Sequence, residues 1–233
     1  MITFGSLFAG IGGMDLGLER AGMKCLWQVE IDPYCRKVLA KHWPEVERFE
    51  DVREVGKHNL RAVDLICGGF PCQPVSCAGQ KKGEADERWL WPDFARVIRE
   101  VRPRWVIVEN VRGLLNRGMS AVMLDLAVLR YAAEWDCLRA SQFGARHRRE
   151  RVFIVAYPDS DGLQGRRVLS QEGHVPTLDQ VRDWPNVPEP FGIRSRHGVP
   201  RFVDRIRGIG NAVVPQVAEW IGRRIVEADR GTK

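Results

Sequence analysis

The stretch TFGSLFAGIGGMDLGLERAG, residues 3–22, decides the fold. Thr3–Phe8 reads as a strand, and about Gly13–Ala21 as a helix. Between them FAGIGG holds glycines at 10, 12 and 13, which let the backbone turn sharply and approach a ligand at the helix N-terminus. Strand, glycine turn and helix are the opening of a βα unit. The turn is not the dinucleotide fingerprint, because Asp15 stands where the third glycine of G-x-G-x-x-G belongs.

Further units follow on both sides of the pattern. Leu26–Glu30 reads as a second strand, and Asp32-Pro33 opens a helix, with Asp suited to the N-cap and Pro to the first turn. Val63–Cys67 and Trp105–Val108 are nearly all apolar, as strands buried on both faces are. A helix near Pro92–Val101 joins them, Met119–Tyr131 reads as helical, and Arg151–Ala156 is another buried strand. These alternating units predict an α/β, Rossmann-like fold on a mostly parallel sheet. The organisation expected is a catalytic and cofactor-binding domain over 1–157, a short irregular recognition segment over 158–207, and a return over 208–233 through a helix near Val213–Glu227.

The 233 residues are 44% hydrophobic, which suits one compact domain with a sizeable core. No apolar run reaches the ~18 residues that span a bilayer, and Met1 leads directly into a strand, so a cytoplasmic protein is expected. The six cysteines (25, 35, 67, 72, 77 and 137) form no C-x-x-C pair and no zinc-type cluster with histidine. No metal is expected. Residues 1–138 carry 19 Lys/Arg against 19 Asp/Glu, and residues 139–233 carry 17 against 11, so the whole excess of +6 lies in the later part. A neutral body followed by a basic remainder fits either a polyanion-facing segment or a merely basic surface.

Four constellations carry chemistry. The first is the glycine turn together with Glu30, an acid ending the next strand, where a carboxylate can hold ribose hydroxyls. Asp51, after the third strand region, is placed to accept from an adenine amino group. Either acid alone reads more often as a solvated loop residue; with the glycine turn, their positions at successive strand ends favour a nucleoside cofactor. The second is GGFPCQP, residues 68–74. Cys72 lies beyond the carboxyl end of a central strand, on a bend stiffened by Pro71 and Pro74. A core cysteine needs no such flank, so Cys72 reads as a nucleophile. The polar stretch Gly79–Glu84 that follows reads as a mobile lid. The third is Glu109-Asn110-Val111 at the end of strand Trp105–Val108, where desolvation can keep a carboxyl protonated; by itself Glu109 reads equally as a solvent-facing acid capping the following turn. The fourth is HRRERVF, residues 147–153, in which alternation sends Arg149 and Arg151 to one face, suited to an anion or a base edge.

The ordered series FAGIGG, VEID, GGFPCQPVS, ENV, RRERVFIVA and GNAVVPQ resembles the DNA cytosine-5 methyltransferases along nearly the whole chain, and specifically a small prokaryotic or phage-type member. The resemblance implies S-adenosyl-L-methionine as cofactor and methyl transfer to carbon 5 of a flipped-out cytosine through a covalent Cys72 adduct. It implies a catalytic group of Cys72, Glu109, Arg149 and Arg151. It implies a cofactor pocket of Phe8, Ala9, Gly10, Gly12, Gly13, Glu30, Ile31, Asp51, Val52, Pro71, Asn211 and Val213, with the closing helix folded back beside the glycine turn. Gln73, Ser76, Lys81 and Lys82, with Gln164, Arg166, Arg167 and Arg196 in the short recognition segment, are the expected DNA contacts. Double-stranded DNA is the expected partner, along with a cognate restriction enzyme where the gene belongs to such a pair, and the enzyme is expected to act as a monomer. The family pattern has Gln where His147 stands, and the segment between Ala156 and Gly208 is short for the family. A tRNA cytosine-5 methyltransferase of the same superfamily and a non-catalytic DNA-binding relative are the alternatives.

Overall fold

The computed structural model describes residues 1–71, 89–160, 168–169, 208 and 210–231. Strand β1 (Thr3–Leu7) is central to a seven-stranded sheet. On one side β2 (Lys24–Val29) and β3 (Glu47–Phe49) continue it in parallel. On the other lie β4 (Leu65–Gly68) and β5 (Trp105–Val111), also parallel. Beyond β5, β7 (Glu150–Pro158) runs antiparallel, and β6 (Tyr131–Arg139) closes that edge antiparallel to β7. The order is therefore β3-β2-β1-β4-β5-β7-β6. Succession reverses at β1 and β4, so a crevice opens beyond the carboxyl ends of these two strands, where open α/β sheets bind ligands.

Period-two alternation sorts the central strands into two cores. Ile66, Val106 and Val108 face helices α3 (Trp91–Val101) and α5 (Met119–Val128), which bury Phe94, Ile98, Val122 and Leu126 against them. Leu65, Cys67, Trp105 and Ile107 face the opposite way, with Leu18 of α1 (Gly13–Arg20) and Val217, Ile221 and Ile225 of α6 (Pro215–Arg230). Helix α2 (Pro33–His42) is capped as its sequence predicts, the Asp32 carboxylate accepting from Tyr34 N at 2.8 Å and Cys35 N at 2.9 Å. A short α4 (Leu114–Arg117) precedes α5. Helix α6 crosses α1 closely: a Cβ at Gly17 would stand 2.3 Å from the Pro215 carbonyl oxygen. The return of the closing helix to the glycine turn is thus present. Among the described residues no helix is long and apolar enough to cross a membrane.

Two features differ from the sequence reading. The helical stretch expected over Met119–Tyr131 ends at Val128, and Tyr131 begins a nine-residue strand that the sequence reading lacks. Among the described residues this is an edge strand paired only with β7, so most of its side chains are half-exposed and the pattern that marks a central strand is missing. Second, β5 runs on through Glu109 and Asn110, because β7 pairs with it along Val106–Val111. The mostly parallel sheet is as expected, β3 to β5 running parallel and β7 and β6 closing it antiparallel. Most of 158–207 lies outside the described residues. Val168 and Leu169 are described, and they are buried in the core of the catalytic sheet, their N–H groups donating to the Glu134 carboxylate of β6 at 2.5 and 3.1 Å.

Candidate active site

The glycine turn leaves β1 through three left-handed residues, Phe8 (φ 54°), Gly10 (φ 58°) and Gly12 (φ 82°). For Phe8 this conformation is strained, and its ring is held by stacking on Phe94 with centroids 6.2 Å apart. Glu30, one residue past β2, grips the turn: its Oε2 accepts from Gly10 N at 2.7 Å and its Oε1 from Asp32 N at 2.8 Å. Arg36 reaches back from α2 to the carbonyls of Glu30 and Ile31 at 3.0 and 2.8 Å, fixing the backbone on which both side chains stand. Burial raises the Glu30 carboxyl above its ordinary range, and the two N–H groups oppose that rise. Among the described residues a Cβ at Gly10 would meet nothing within 4 Å, and Ile31 is 63% exposed. An open cradle, an acid at its rim and a bare aliphatic side chain beside it fit the ribose and purine of an adenosine-type ligand.

The remaining predicted pocket residues fall around this cradle or under it. A Cβ at Gly13 would stand 2.2 Å from the Val213 carbonyl, so the segment before α6 runs directly over the turn. Asn211 is exposed on that segment. Ala9 N donates to Val29 O at 3.1 Å, tying the turn to the end of β2. Asp51 caps a 3-10 turn over Val52–Glu54, and Arg53 forks onto its carboxylate at 2.9, 3.0 and 2.5 Å, which lowers its pKa. Val52 is buried in the core, so a ligand there would meet backbone rather than its side chain.

The second half of the site lies beyond β4 and β5. Glu109 is 7% exposed. Burial raises its carboxyl above the ordinary range, while Arg151 and then Arg149 pull it back. Arg151 Nε stands 3.0 Å from Glu109 Oε1, an ion-pair contact in which the N–H does not line up for a hydrogen bond. Arg149 donates from Nη1 to the Gly210 carbonyl at 2.6 Å, linking RRERV to the segment before α6. A Cβ at Gly69 would stand 2.6 Å from Glu109 Oε2, so the chain leaving β4 passes against this carboxyl. Asn110, 2% exposed, donates from Nδ2 to the Phe70 carbonyl at 3.2 Å, and its Oδ1 accepts from Val111 N at 2.8 Å. Phe70 is packed between Trp89 (centroids 5.1 Å) and Trp91 (5.7 Å).

Glu109, Arg149 and Arg151 are therefore brought together, and Pro71 follows Phe70, whose carbonyl Asn110 holds. Cys72, Gln73, Ser76, Lys81 and Lys82, the stretch Gly79–Glu84, and Gln164, Arg166, Arg167 and Arg196 lie outside the described residues. Sequence reasoning assigned no role to Asn110, Phe70 or Trp89. An amide inside an apolar strand was the available signal for Asn110, since a buried amide must find partners. The pairing of Phe70 with Trp89 depends on a contact between distant residues that no local pattern carries.

Comparison with known proteins agrees with this geometry. Residues 2–191 match the family model described as C-5 cytosine-specific DNA methylase. The Type II methyltransferase M.NgoMIV of Neisseria gonorrhoeae is 30% identical over 94% of this chain and 96% of its own. M.DsaV of Dactylococcopsis salina is 34% identical over 69% of this chain and 47% of its own. A solved E. coli prophage-encoded protein, assigned as a DNA modification methyltransferase, superposes with a TM-score of 0.58 at 29% identity, covering 69% of this chain and 47% of that one. The chain spans about half the length of these last two relatives. The family match over most of the chain and the near full-length match to M.NgoMIV place this chain in the C-5 cytosine-specific DNA methylase family.

Proposed function

We propose that the chain is a DNA cytosine-5 methyltransferase that transfers a methyl group from S-adenosyl-L-methionine to a cytosine extruded from duplex DNA. The observation that carries this is the placement of Glu109: a buried carboxyl with a raised pKa, faced by Arg151 at 3.0 Å and passed by the chain at Gly69. Three residues beyond Gly69 stands Cys72. When bound, the cofactor supplies an electrophilic methyl group. Glu30 and the glycine turn would hold its nucleoside.

On the substrate side, the Cys72 thiolate adds to carbon 6 of the ring, which breaks aromaticity and makes carbon 5 nucleophilic. Electron density rises at ring nitrogen 3, and a protonated Glu109 donates there. Arg151, with Arg149 beside it, holds the base carbonyl oxygen. Loss of the carbon 5 proton after methylation lets the thiolate leave. Cytosine in a duplex must first be flipped out, at a cost of a few kcal/mol. We assign phosphate and groove contacts that offset this cost to the 73–90 loop and to the basic remainder of the chain, which includes the recognition segment 158–207.

The family description and the Type II names of the relatives favour DNA over tRNA as substrate. Type II relatives also favour a restriction–modification setting, in the cytoplasm of a bacterium or phage-infected host. The test is transfer of labelled methyl from the cofactor to mixed-sequence duplex DNA, with tRNA in a parallel arm. Label in DNA alone supports the proposal. Label in tRNA alone overturns the substrate, and DNA retention without label supports the non-catalytic relative.

A further inference from the structure

Beneath the glycine turn lies a buried polar cluster that the proposed chemistry does not use. Asp15, the third residue of α1, is fully buried. Its Oδ2 accepts from the Ser6 hydroxyl of β1 at 3.0 Å, and its Oδ1 from Gln28 Nε2 of β2 at 2.8 Å. The Cys25 thiol lies 3.9 Å from Oδ1. Among the described residues no ion pair to Asp15 occurs, and Gln28 Oε1 is buried with no hydrogen-bond partner. A carboxyl enclosed by neutral donors costs stability that a wholly aliphatic cluster of the same shape would not. Holding it there therefore calls for a benefit other than stability.

The positions of the three residues supply that benefit. Ser6 is two residues before Phe8, Gln28 is two before Glu30, and Asp15 is two after Gly13. Each partner thus sits one step beneath a residue of the cofactor cradle, on a different element. Above the turn Glu30 fixes Gly10 to the end of β2. Below it Asp15 fixes β1, β2 and α1 to one another at a single carboxyl.

We propose that Asp15 is a positioning residue for the cofactor cradle, setting the glycine turn against Glu30 through Ser6 and Gln28. The inference rests on the reading of this turn as the nucleoside site. Burial also pushes the Asp15 carboxyl up to about 6, in keeping with a group whose setting is costly.

Calorimetric binding of S-adenosyl-L-homocysteine to the whole chain tests it, with thermal melts on the same samples. Asp15→Leu fills the space without an acceptor, and Gln28→Met removes the β2 donor. Asp15→Asn keeps one acceptor and one donor. Asp15→Leu leaves the Ser6 hydroxyl and the Gln28 amide without their acceptor; beside any fall in Tm, it is expected to weaken binding by the folded protein roughly tenfold. Gln28→Met is expected to weaken it in the same direction, and Asp15→Asn to restore most of the affinity. Leu18→Ala, a cavity in the same core, should lower Tm and leave the affinity of the folded protein unchanged. Folded Asp15→Leu or Gln28→Met protein that binds as wild type does overturns the proposal, as does failure of both to fold, which makes the cluster structural alone. A wild-type chain that binds no nucleoside overturns instead the cofactor reading on which it stands.

Discussion

At the scale of single residues, the site depends on groups whose burial conflicts with their polarity. Glu109 is a carboxyl in an apolar strand, shifted up by burial and partly restored by two arginines. Glu109→Gln keeps the shape and removes the transferable proton. We expect kcat for methyl transfer to fall about 100- to 1000-fold, with cofactor affinity unchanged by calorimetry. Asn110 acts at one remove: without its bond to the Phe70 carbonyl, the chain leading to Cys72 loses an anchor. Asn110→Ala should lower kcat by about tenfold or more and leave cofactor binding intact, measured by single-turnover kinetics. Asp15 gives a pH signature. Its folded pKa is raised from 3.8 to about 6, so it favours the folded state below about pH 4 and that contribution is lost as pH rises through 6. Melts of wild type and Asp15→Asn should therefore show the wild type losing ground to the variant between pH 4 and 7.5; parallel curves would contradict the assignment. The glycine turn, Glu30, Glu109 and the two arginines were legible in the sequence because each ends or begins an apolar run. Asn110 and Asp15 were not, since what they do is set by partners 40 and 13 residues away.

At the scale of elements, the strands that could be read were those buried on both faces. β4 and the first part of β5 carry unbroken apolar runs because α1 and α6 cover one side and α3 and α5 the other. β6 escaped the reading because, among the described residues, it pairs with one strand and most of its side chains are part-exposed, and its Ala, Glu and Asp residues carry no strong strand preference. The pairing of α1 with α6 was anticipated only from the resemblance, yet its physical cause lies in α1 itself. Gly17 lets the backbones meet, and a methyl group there would collide with Pro215 O at 2.3 Å and Ala218 Cβ at 2.6 Å. Helix propensity favours alanine over glycine, but overpacking opposes it. Gly17→Ala should destabilise the protein by about 1–3 kcal/mol, read as a lowered urea midpoint, and a raised midpoint would mean that α6 yields without cost.

At the scale of the molecule, the sheet order brings two halves of one site together from distant parts of the chain. The glycine turn follows β1 and the Gly69 bend follows β4, and these strands are neighbours. RRERV enters β7 from the same edge because β7 runs antiparallel to β5, setting Arg151 opposite Val111. The segment before α6 then spans both halves, with Arg149 on the Gly210 carbonyl and Val213 over Gly13. The charge excess lies wholly in residues 139–233, so affinity for duplex DNA should fall steeply as salt rises, measured by fluorescence anisotropy. If Cys72 adds covalently to a cytosine ring held before Glu109, mass spectrometry of the protein with S-adenosyl-L-methionine and duplex DNA containing 5-fluorocytosine should detect the adduct. Fluorine at carbon 5 cannot leave as a proton does, so the account predicts a stable protein–DNA species attached at Cys72 and none with Cys72→Ser. Methylation of ordinary DNA without such a species, or a species that persists in Cys72→Ser, would contradict it.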